Sequence, residues 1–433
     1  MGPVFHSWSA QGGAPPADVV GAEGSWFWTE DGTRYLDLGS QLVFTNIGHG
    51  HPEVIAAIAE QATELCTIAP VHGNRTRTRA AEKVLAHAPE TMRSVFFTNG
   101  GTEAVEHAVR MARLHTGRHK VLAAYRSYHG ATAGAIALTG EPRRWGSEPG
   151  MPGTLHFFGP YLYRSAFHAT TEAEECERAL AHLAGIVEME GAHTIAAVIL
   201  EPIVGTNGVL VPPDGYLAGV RDLCDRHGIV LIADEVMVGF GRTGTWFAMD
   251  RWGVTPDLIT FAKGVNSGYV PLGGVIVSEA VASSFDERPY PGGLTYSGHP
   301  LACAAAVANL EVLERDGLVD RADELGRTVF GPRLGQLRDR HESVGEVRGA
   351  GAFWAIELVR DRSTREPYVP FNASGPAAAP MGELIAACKA RGVWPFTHFN
   401  RFHLAPPLTI SEAELDRAFD VLDEVLAIAD AAI

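Results

Sequence analysis

The sequence is poor in positive charge. Across 433 residues, 35 lysines and arginines stand against 51 aspartates and glutamates, which gives a formal net charge of −16. An acidic surface repels the phosphates of nucleic acids, so nucleic acid is not expected as a partner. One stretch is locally basic, VHGNRTRTRAAEK at positions 71–83. It is predicted either to steer acidic substrates or to face solvent near a subunit interface.

Cysteine and long apolar runs are also scarce. None of the five cysteines (Cys66, Cys176, Cys224, Cys303 and Cys388) forms a C-x-x-C pair. This excludes a disulfide framework and a thiolate zinc site. The apolar runs end at a charge or a glycine well short of a bilayer's thickness, so no membrane partner is expected. The N-terminal MGPVFHSWSAQGGAPP lacks the basic and apolar regions of a signal peptide, and a cytoplasmic location is predicted.

What the sequence does contain is a regular alternation of short apolar runs and amphipathic segments. Such continuous hydrophobicity is typical of strands that helices cover on both faces. The predicted strands are 95–97, 120–125, 194–200, 229–234, 257–262 and 273–278. Between two of them, GYLAGVRDLCDRHG places its apolar residues on one helical stripe. The sequence therefore predicts an α/β fold, with a mixed, mostly parallel sheet between helices.

The two ends of the chain have a different pattern. WFWTEDGTRYLDL predicts a hairpin around its DG turn, and VRGAGAFWAIELV predicts a pair of strands. Ser411 and Glu414 have the spacing of a capping box before the last helix. We therefore expect a smaller α+β domain built from residues 1–55 and 300–433, and a large domain at 56–299.

The stretch VGFGRTG at 238–244 contains the pattern G-x-G-x-x-G, which is typical of dinucleotide-binding loops. A dinucleotide-binding loop requires a helix that begins within the glycines and an acidic residue about 20 positions later. Here Gly253 and Pro256 end any helix early, and the later position holds ITFAK. A nicotinamide oxidoreductase is thus a remote alternative. We expect Arg242, within the stretch, to reach a neighbouring acid.

Two ionisable residues close the strands on either side of this stretch. Asp234 ends IVLIAD, and Lys263 directly follows LITFA. The carboxyl ends of parallel strands form the ligand crevice of open α/β sheets. A lysine desolvated by apolar neighbours has a lowered pKa and becomes nucleophilic, as carbonyl chemistry requires. A buried aspartate beside it suits protonation of a pyridine nitrogen.

A third segment, NGGTEA at 99–104, follows a predicted strand and opens a helix. Its backbone N–H groups and the Thr102 hydroxyl are predicted to hold a phosphate at the helix N-terminus. No lysine of the nucleotide-binding type follows the glycines, so a nucleotide P-loop is not indicated. His49 and His51 in GHGHP lack a nearby third ligand, and no metal site is predicted.

These segments resemble the class III, fold-type I aminotransferases, which use pyridoxal 5′-phosphate (PLP). The resemblance covers nearly the whole chain. Its most specific blocks are FFTNGGTEAVEHAVRMAR, SYHG, ILEPIVG, LIADEVMVGFGRTGTWFA, DLITFAKGVNSGYVPLGGV, LTYSGHPLACAAA and LAPPLTISEAEL. Within the family, the chain most resembles the amine–pyruvate (omega-amine) transaminases, including taurine–pyruvate aminotransferase.

The resemblance implies a role for each matching residue. Lys263 would bind PLP covalently, Asp234 would pair with the ring nitrogen, and Tyr128 would stack on the ring. These three are the implied catalytic residues. The implied cofactor-binding residues are Gly100, Gly101, Thr102, Tyr128, His129, Glu201, Asp234, Val236, Lys263 and Thr295. Thr295 would reach the phosphate from the other subunit of a homodimer or of a larger assembly such as a tetramer.

Two of these assignments carry an open question. The family usually has serine where this chain has Gly100, which removes one hydroxyl from the phosphate site. Glu201 would lie near the ring oxygen or the substrate channel, or it would be a structural acid at the end of a strand.

The implied reaction is ping-pong transfer of an amino group from an amine or ω-amino acid to a keto acid such as pyruvate. A PLP-dependent racemase or aminomutase of the same fold is the alternative. The expected substrate-pocket residues are Leu42, Val43, Phe44, Thr206, Phe396 and Arg401. Many relatives bind a carboxylate with an arginine at the position of Phe396, and Arg401, His398 or His403 would have to replace it here.

Overall fold

The computed structural model describes residues 3–13 and 16–433. Its strands are β1 (Val19–Glu23), β2 (Trp26–Thr29), β3 (Arg34–Asp37), β4 (Met92–Thr98), β5 (Lys120–Ala124), β6 (Thr154–Phe157), β7 (Ile195–Leu200), β8 (Val230–Asp234), β9 (Leu258–Phe261), β10 (Gly273–Ser278), β11 (Val344–Ala350), β12 (Phe353–Asp361), β13 (Glu366–Pro367), β14 (Val393–Trp394), β15 (Phe396–His398) and β16 (Arg401–Leu404). Its helices are α1 (Ser40–Val43), α2 (Pro52–Glu64), α3 (Arg75–Leu85), α4 (Gly101–Thr116), α5 (Ala133–Leu138), α6 (Glu172–Glu190), α7 (Tyr216–His227), α8 (Glu279–Ala282), α9 (Pro300–Arg315), α10 (Leu318–Leu325), α11 (Gly331–Arg340), α12 (Ala379–Ala390) and α13 (Glu412–Asp430).

The central sheet has seven strands in the order β4-β10-β9-β8-β7-β5-β6. Its pairs from β9 to β6 are all parallel, whereas β10 runs antiparallel to both of its neighbours. Every residue of β7, β8, β9 and β10 is buried. The six predicted strands and the mixed, mostly parallel sheet are therefore confirmed.

Alternate residues of each strand pack against helices on opposite faces of the sheet. In β7, Ala197 and Ile199 pack in the cluster that holds the buried side of α4. Val198 and Leu200 pack with α6 and α7 on the other face. Since both faces are covered, each strand needs apolar side chains at every position, and this explains the continuous apolar runs of the sequence.

The ends of the chain meet in two smaller sheets. The predicted hairpin forms from β2 and β3, and β14 from the C-terminal third joins it by pairing in parallel with β3. The predicted pair β11 and β12 continues through β16 to β15. The capping box is present, because Ser411 and Glu414 each bond the other's backbone N–H. The division into domains at residues 55/56 and 299/300 stays a prediction.

The VGFGRTG stretch forms tight turns, with positive φ angles of 90° at Gly241 and 87° at Gly244. The expectation that Arg242 pairs with an acid is wrong. Its fully buried guanidinium donates to the carbonyl oxygens of Ala352 and Pro406, to Ser40 Oγ and to Asn46 Oδ1. Arg242 therefore connects the N-terminal segment with the C-terminal third. The first helical segment after the stretch is a short 3₁₀ turn, Ala248–Trp252, and does not begin within the glycines.

All five cysteines are free thiols in the described chain. Within residues 3–13 and 16–433, none of the helices has both the length and the apolar character needed to cross a bilayer.

Candidate active site

A cavity of about 440 Å³ opens at the carboxyl ends of the central strands. Glu201 follows β7, Asp234 ends β8, and Lys263 lies two residues after β9; all three line this cavity. Most of the predicted cofactor residues share its wall: Gly100, Gly101, Thr102, Tyr128, His129, Glu201, Asp234, Val236 and Lys263. The parallel sheet therefore brings residues from positions 100 to 263 to one crevice.

Lys263 reaches this cavity from a strained backbone. Its φ angle is +49°, in the left-handed region that non-glycine residues rarely occupy. Its ammonium group makes no hydrogen bond with any described residue, and burial lowers its pKa to about 8. A lysine held in this way has a larger fraction of neutral, nucleophilic amine near pH 7 than an ordinary lysine.

Asp234 is 3% exposed and is held by three groups. Its Oδ2 lies 2.6 Å from Nδ1 of His129, and its Oδ1 accepts from the Val236 N–H and the Thr260 hydroxyl. These bonds fix the carboxylate at the cavity wall. Nε2 of His129 is buried without a hydrogen-bond partner among the described residues.

Helix α4 begins at the cavity with no side chain capping its N-terminus. Its first N–H groups are thus free to bind an anion, and the helix dipole favours negative charge there. Gly101 is required by packing, because a Cβ atom would lie 2.7 Å from Cγ1 of Val236. At Gly100 a Cβ would meet no described atom within 4 Å, so the site has space for a larger side chain there.

Thr102 is already engaged within the chain. Its Oγ1 accepts from the N–H groups of Ala131 and Thr132 at 3.1 Å each and lies 2.8 Å from the Thr132 hydroxyl. Thr102 therefore fixes the turn that follows His129, in addition to lying on the cavity wall.

The sequence did not predict the positive charge that lies beside Tyr128. The guanidinium carbon of Arg143 lies 3.7 Å from the centre of the Tyr128 ring and 5.2 Å from that of Trp8. Arg143 Nε donates to Glu141, while its Nη2 is buried without a partner among the described residues. The local sequence EPRRWG gives no signal that separates Arg143 from Arg144. Only the fold shows that Arg143, which does not itself line the cavity, packs on the Tyr128 ring of its wall.

The carboxylate of Glu201 is bound by the backbone. Its Oε1 accepts from the Tyr128 N–H and its Oε2 from the Gly205 N–H, at 2.9 and 2.8 Å. Burial raises its pKa to about 7. Glu201 therefore positions the Tyr128 turn and also lines the cavity.

The expected substrate-pocket residues lie in different places. Phe44 is on the cavity wall, whereas Leu42 is 57% exposed and Val43 is packed in a core cluster with Ile203 and Val209. Thr206 is buried beyond the wall. Met237, which was not anticipated, lines the cavity together with Phe44.

The two C-terminal candidates are engaged by other side chains. Phe396 packs on His403, with ring centres 4.8 Å apart. Arg401 donates through Nε to the buried Glu357. His398 is 3.5 Å from Glu141, the residue that also holds Arg143. Neither Phe396 nor Arg401 lines the cavity.

Thr295 is exposed and does not line the cavity of its own chain.

Three positive side chains of the basic stretch are paired internally: Arg79 with Glu311, Lys83 with Glu314, and Arg77 with backbone oxygens including that of Gly298. His49 lies 2.9 Å from Asp37. The described residues contain no group of three or more His, Cys, Asp or Glu residues suited to hold a metal ion.

The cavity has the donors and acceptors that PLP requires. An uncapped helix N-terminus suits the phosphate, a buried carboxylate suits the pyridine nitrogen, and an unbonded lysine amine suits the aldehyde. The aromatic ring of Tyr128 and the side chain of Val236 supply apolar contacts for the pyridine ring.

Comparison with known proteins agrees with this arrangement. The family model of the class-III aminotransferases matches residues 8–426. The chain is 34% identical to the taurine–pyruvate aminotransferase of Bilophila wadsworthia, over 97% of this chain and 94% of that protein.

Solved structures are similar over almost the full length. Taurine:2-oxoglutarate aminotransferase from Bifidobacterium kashiwanohense, solved with PLP and glutamate, has a TM-score of 0.95 and 40% identity, covering 99% of this chain and 96% of that one. An (S)-enantioselective omega-transaminase from Thermomicrobium roseum has a TM-score of 0.90 and 37% identity, covering 98% and 96%. The chain belongs to the class III aminotransferases and is a PLP-dependent transaminase.

Proposed function

We propose that this transaminase takes the amino group from an ω-amino acid that carries a distal acid group, with taurine as the example, and transfers it to pyruvate. The observation that carries this proposal is Arg143, whose guanidinium lies on the Tyr128 ring of the cavity wall. Its Nε is bound to Glu141, and its Nη2 has no partner among the described residues. A sulfonate or carboxylate is the natural partner of such a group. The names of two relatives, both taurine aminotransferases, support the same donor class.

We assign the acid-binding role to Arg143 and not to Arg401 because Arg143 packs on Tyr128, a residue of the cavity wall. Both arginines donate through Nε to a buried acid and keep one terminal nitrogen without a partner among the described residues. Arg401 is bound to Glu357. The position expected for a carboxylate-binding arginine holds Phe396, which packs on His403. An α-carboxylate therefore has no free arginine at that position, which favours donors with a distal rather than an α acid group.

The proposed mechanism assigns one task to each polar residue at the strand ends. Bound PLP supplies a ring that accepts the electron pair left when the substrate carbon loses its proton. Lys263 would take this proton with its neutral amine and return it to the cofactor carbon, as general base and then general acid. Asp234, fixed by His129, Val236 and Thr260, would keep the pyridine nitrogen protonated. The first N–H groups of α4 would hold the phosphate.

A panel of donors tests this proposal. With pyruvate as acceptor, we expect alanine to form from taurine and β-alanine with higher kcat/KM than from amines that carry no acid group, such as isopropylamine. Arg143→Gln is expected to lower kcat/KM for the two acidic donors about 10- to 100-fold, the usual value of a charge-assisted hydrogen bond, and for isopropylamine less than about 3-fold. Arg144→Gln, which removes the neighbouring charge, is the matched control.

Equal losses for acidic and neutral donors in Arg143→Gln would refute the assigned role. If no amine yields alanine while an amino acid is racemised or its amino group migrates, the racemase or aminomutase alternative is correct. A parallel panel with 2-oxoglutarate, the acceptor named for the Bifidobacterium relative, decides between the two acceptors.

The lowered pKa of Lys263 predicts how the apoprotein takes up PLP. Only the neutral amine attacks an aldehyde, so the rate of PLP binding is expected to rise as the pH approaches about 8 and to level off above it. An unperturbed lysine would continue the rise toward about pH 10.4. The rate is measured from the visible absorbance at constant ionic strength. A rate that still rises tenfold per unit above pH 9 would contradict this pKa.

We also propose a homodimer in which Thr295 binds the phosphate of the other subunit's PLP. In its own chain Thr295 is exposed and remote from the cavity wall, and the adjacent Tyr296 is 63% exposed. Thr295→Ala is expected to weaken PLP binding about 10-fold, as loss of one hydrogen bond to a charged group does. Thr63→Ala, on the exposed surface of α2, is the control. A monomeric mass in sedimentation of the holoenzyme would rule the dimer out.

A further inference from the structure

A second, smaller cavity of about 80 Å³ lies beside the active site. It is formed by the segments that follow the carboxyl ends of β5, β6 and β7 and by the start of α7. The carboxyl edge of a parallel sheet is where such folds bind ligands. Glu201 contributes to the walls of both cavities, so the two spaces are adjacent but separate.

The wall of this second cavity carries an excess of positive charge. Arg126 and Arg164 line it, against one acidic residue of the wall, Glu201. Behind them, the buried Glu357 accepts from Arg164 Nε at 2.5 Å, Arg348 Nη2 at 2.7 Å and Arg401 Nε at 2.9 Å. The only other carboxylate that pairs within this group is Glu346, on Arg348. Four guanidinium groups therefore share two carboxylates among the described residues.

Part of this charge has no partner. The Arg126 side chain makes no hydrogen bond or ion pair with any described residue, and its guanidinium carbon lies 5.2 Å from the centre of the Tyr161 ring. Nη2 of Arg164 is buried and also lacks a partner there. Unpaired buried cationic groups are unfavourable. An anion in the cavity would satisfy both arginines.

Apart from Glu201 and the tyrosines Tyr125, Tyr161 and Tyr216, the rest of the lining is largely apolar. Phe157, Leu200, Leu210 and Leu217 form much of the wall, and the Tyr161 hydroxyl is already bonded to Glu357. Helix α7 begins at this wall, and no side chain caps its N-terminus, which favours negative charge nearby. The cavity thus combines an anion-binding end with an apolar body.

We propose that this cavity binds a short-chain monocarboxylate. The carboxylate contacts Arg126 and Nη2 of Arg164, and the alkyl chain packs against the apolar wall around Leu217. The site is distinct from the one that holds the reacting substrate, and it does not depend on which donor or acceptor the enzyme uses.

Calorimetric titration of the holoenzyme with butyrate, in a buffer free of carboxylate and phosphate, tests the proposal. Arg143→Gln serves as the parent protein, because it removes the acid-binding group proposed for the active site. We expect one butyrate per chain. Adding Arg126→Gln should weaken butyrate binding at least tenfold. Adding Arg178→Gln, which removes a surface charge paired with Glu174, should leave it unchanged.

Two further measurements separate the alternatives. Formate should bind at least tenfold more weakly than butyrate, because it lacks the three carbons that the apolar wall contacts. Leu217→Trp should fill the cavity and abolish binding, and if that variant fails to fold, Arg126→Gln decides alone. An affinity unchanged by Arg126→Gln, equal binding of formate, or no heat of binding up to 100-fold excess over the protein overturns the site.

Discussion

Replacing Lys263 by alanine is expected to reduce the kcat of transamination by at least about 10⁴-fold, because one amine performs two tasks. In the proposed mechanism this amine would bind the cofactor covalently and would then move the proton between the two carbons. No other lysine lines the cavity of about 440 Å³, so nothing in the described chain replaces it. The visible absorption of the lysine-bound cofactor should disappear as well.

The measurement compares the purified variant with wild type, both incubated with PLP and reduced with borohydride before peptide mapping. Wild type should carry the reduced adduct on Lys263. Lys83→Ala, which changes a lysine on the surface of α3 paired with Glu314, should retain the band and at least half of the activity. A Lys263→Ala protein that kept either the adduct or more than a few per cent of kcat would refute the assignment.

The second large effect is expected at Asp234. Asp234→Asn should reduce kcat about 10²- to 10³-fold, because a neutral amide no longer stabilises the protonated pyridine nitrogen that draws electrons from the substrate carbon. The variant keeps the shape of the side chain, so the folded state should persist. PLP should still bind covalently to Lys263, and the loss should therefore appear in kcat and not in the amount of bound cofactor.

The adjacent Glu235 provides the matched control. Its fully buried carboxyl accepts from the N–H groups of Ala248 and Met249, and burial raises its pKa to about 8. The group is thus mostly protonated at pH 7, so Glu235→Gln removes little charge there. Its amide nitrogen would face one of the two backbone N–H groups and lower the stability, but the kcat of the folded protein should change less than about 3-fold. Similar losses of kcat in Asp234→Asn and Glu235→Gln would show that the effect arises from general damage at the end of β8.

Glu235 also gives the stability a predictable dependence on pH. A carboxyl whose pKa is raised by folding binds its proton more tightly in the native state. Its contribution is fully present below the unfolded pKa near 4.5 and is lost as the pH rises toward about 8. Glu235→Gln should reduce this part of the pH dependence.

The sequence by itself determined the fold class, the cofactor and most of the cavity wall. Continuous apolar runs required strands covered on both faces, and parallel strands bring their carboxyl ends to one edge. Asp234 and Lys263 therefore had to meet, even though 28 positions separate them in the chain. The two glycines at the start of α4, Gly100 and Gly101, are also a local feature of the sequence. This is why the segment 99–104 could be predicted to begin a helix.

The tertiary structure alone decided which charges are free. Nothing in the sequence distinguishes Arg143 on the Tyr128 ring from Arg401 on Glu357, or predicts that Arg242 pairs with carbonyls and not with an acid. In the same way, Val43 and Phe44 are neighbours, but one packs in the core and the other lines the cavity. The partners of a buried side chain come from distant segments, so the spacing of residues along one chain does not predict those contacts. Strand and helix patterns are local and can be read from the sequence, whereas the pairing of buried charges depends on how those elements pack.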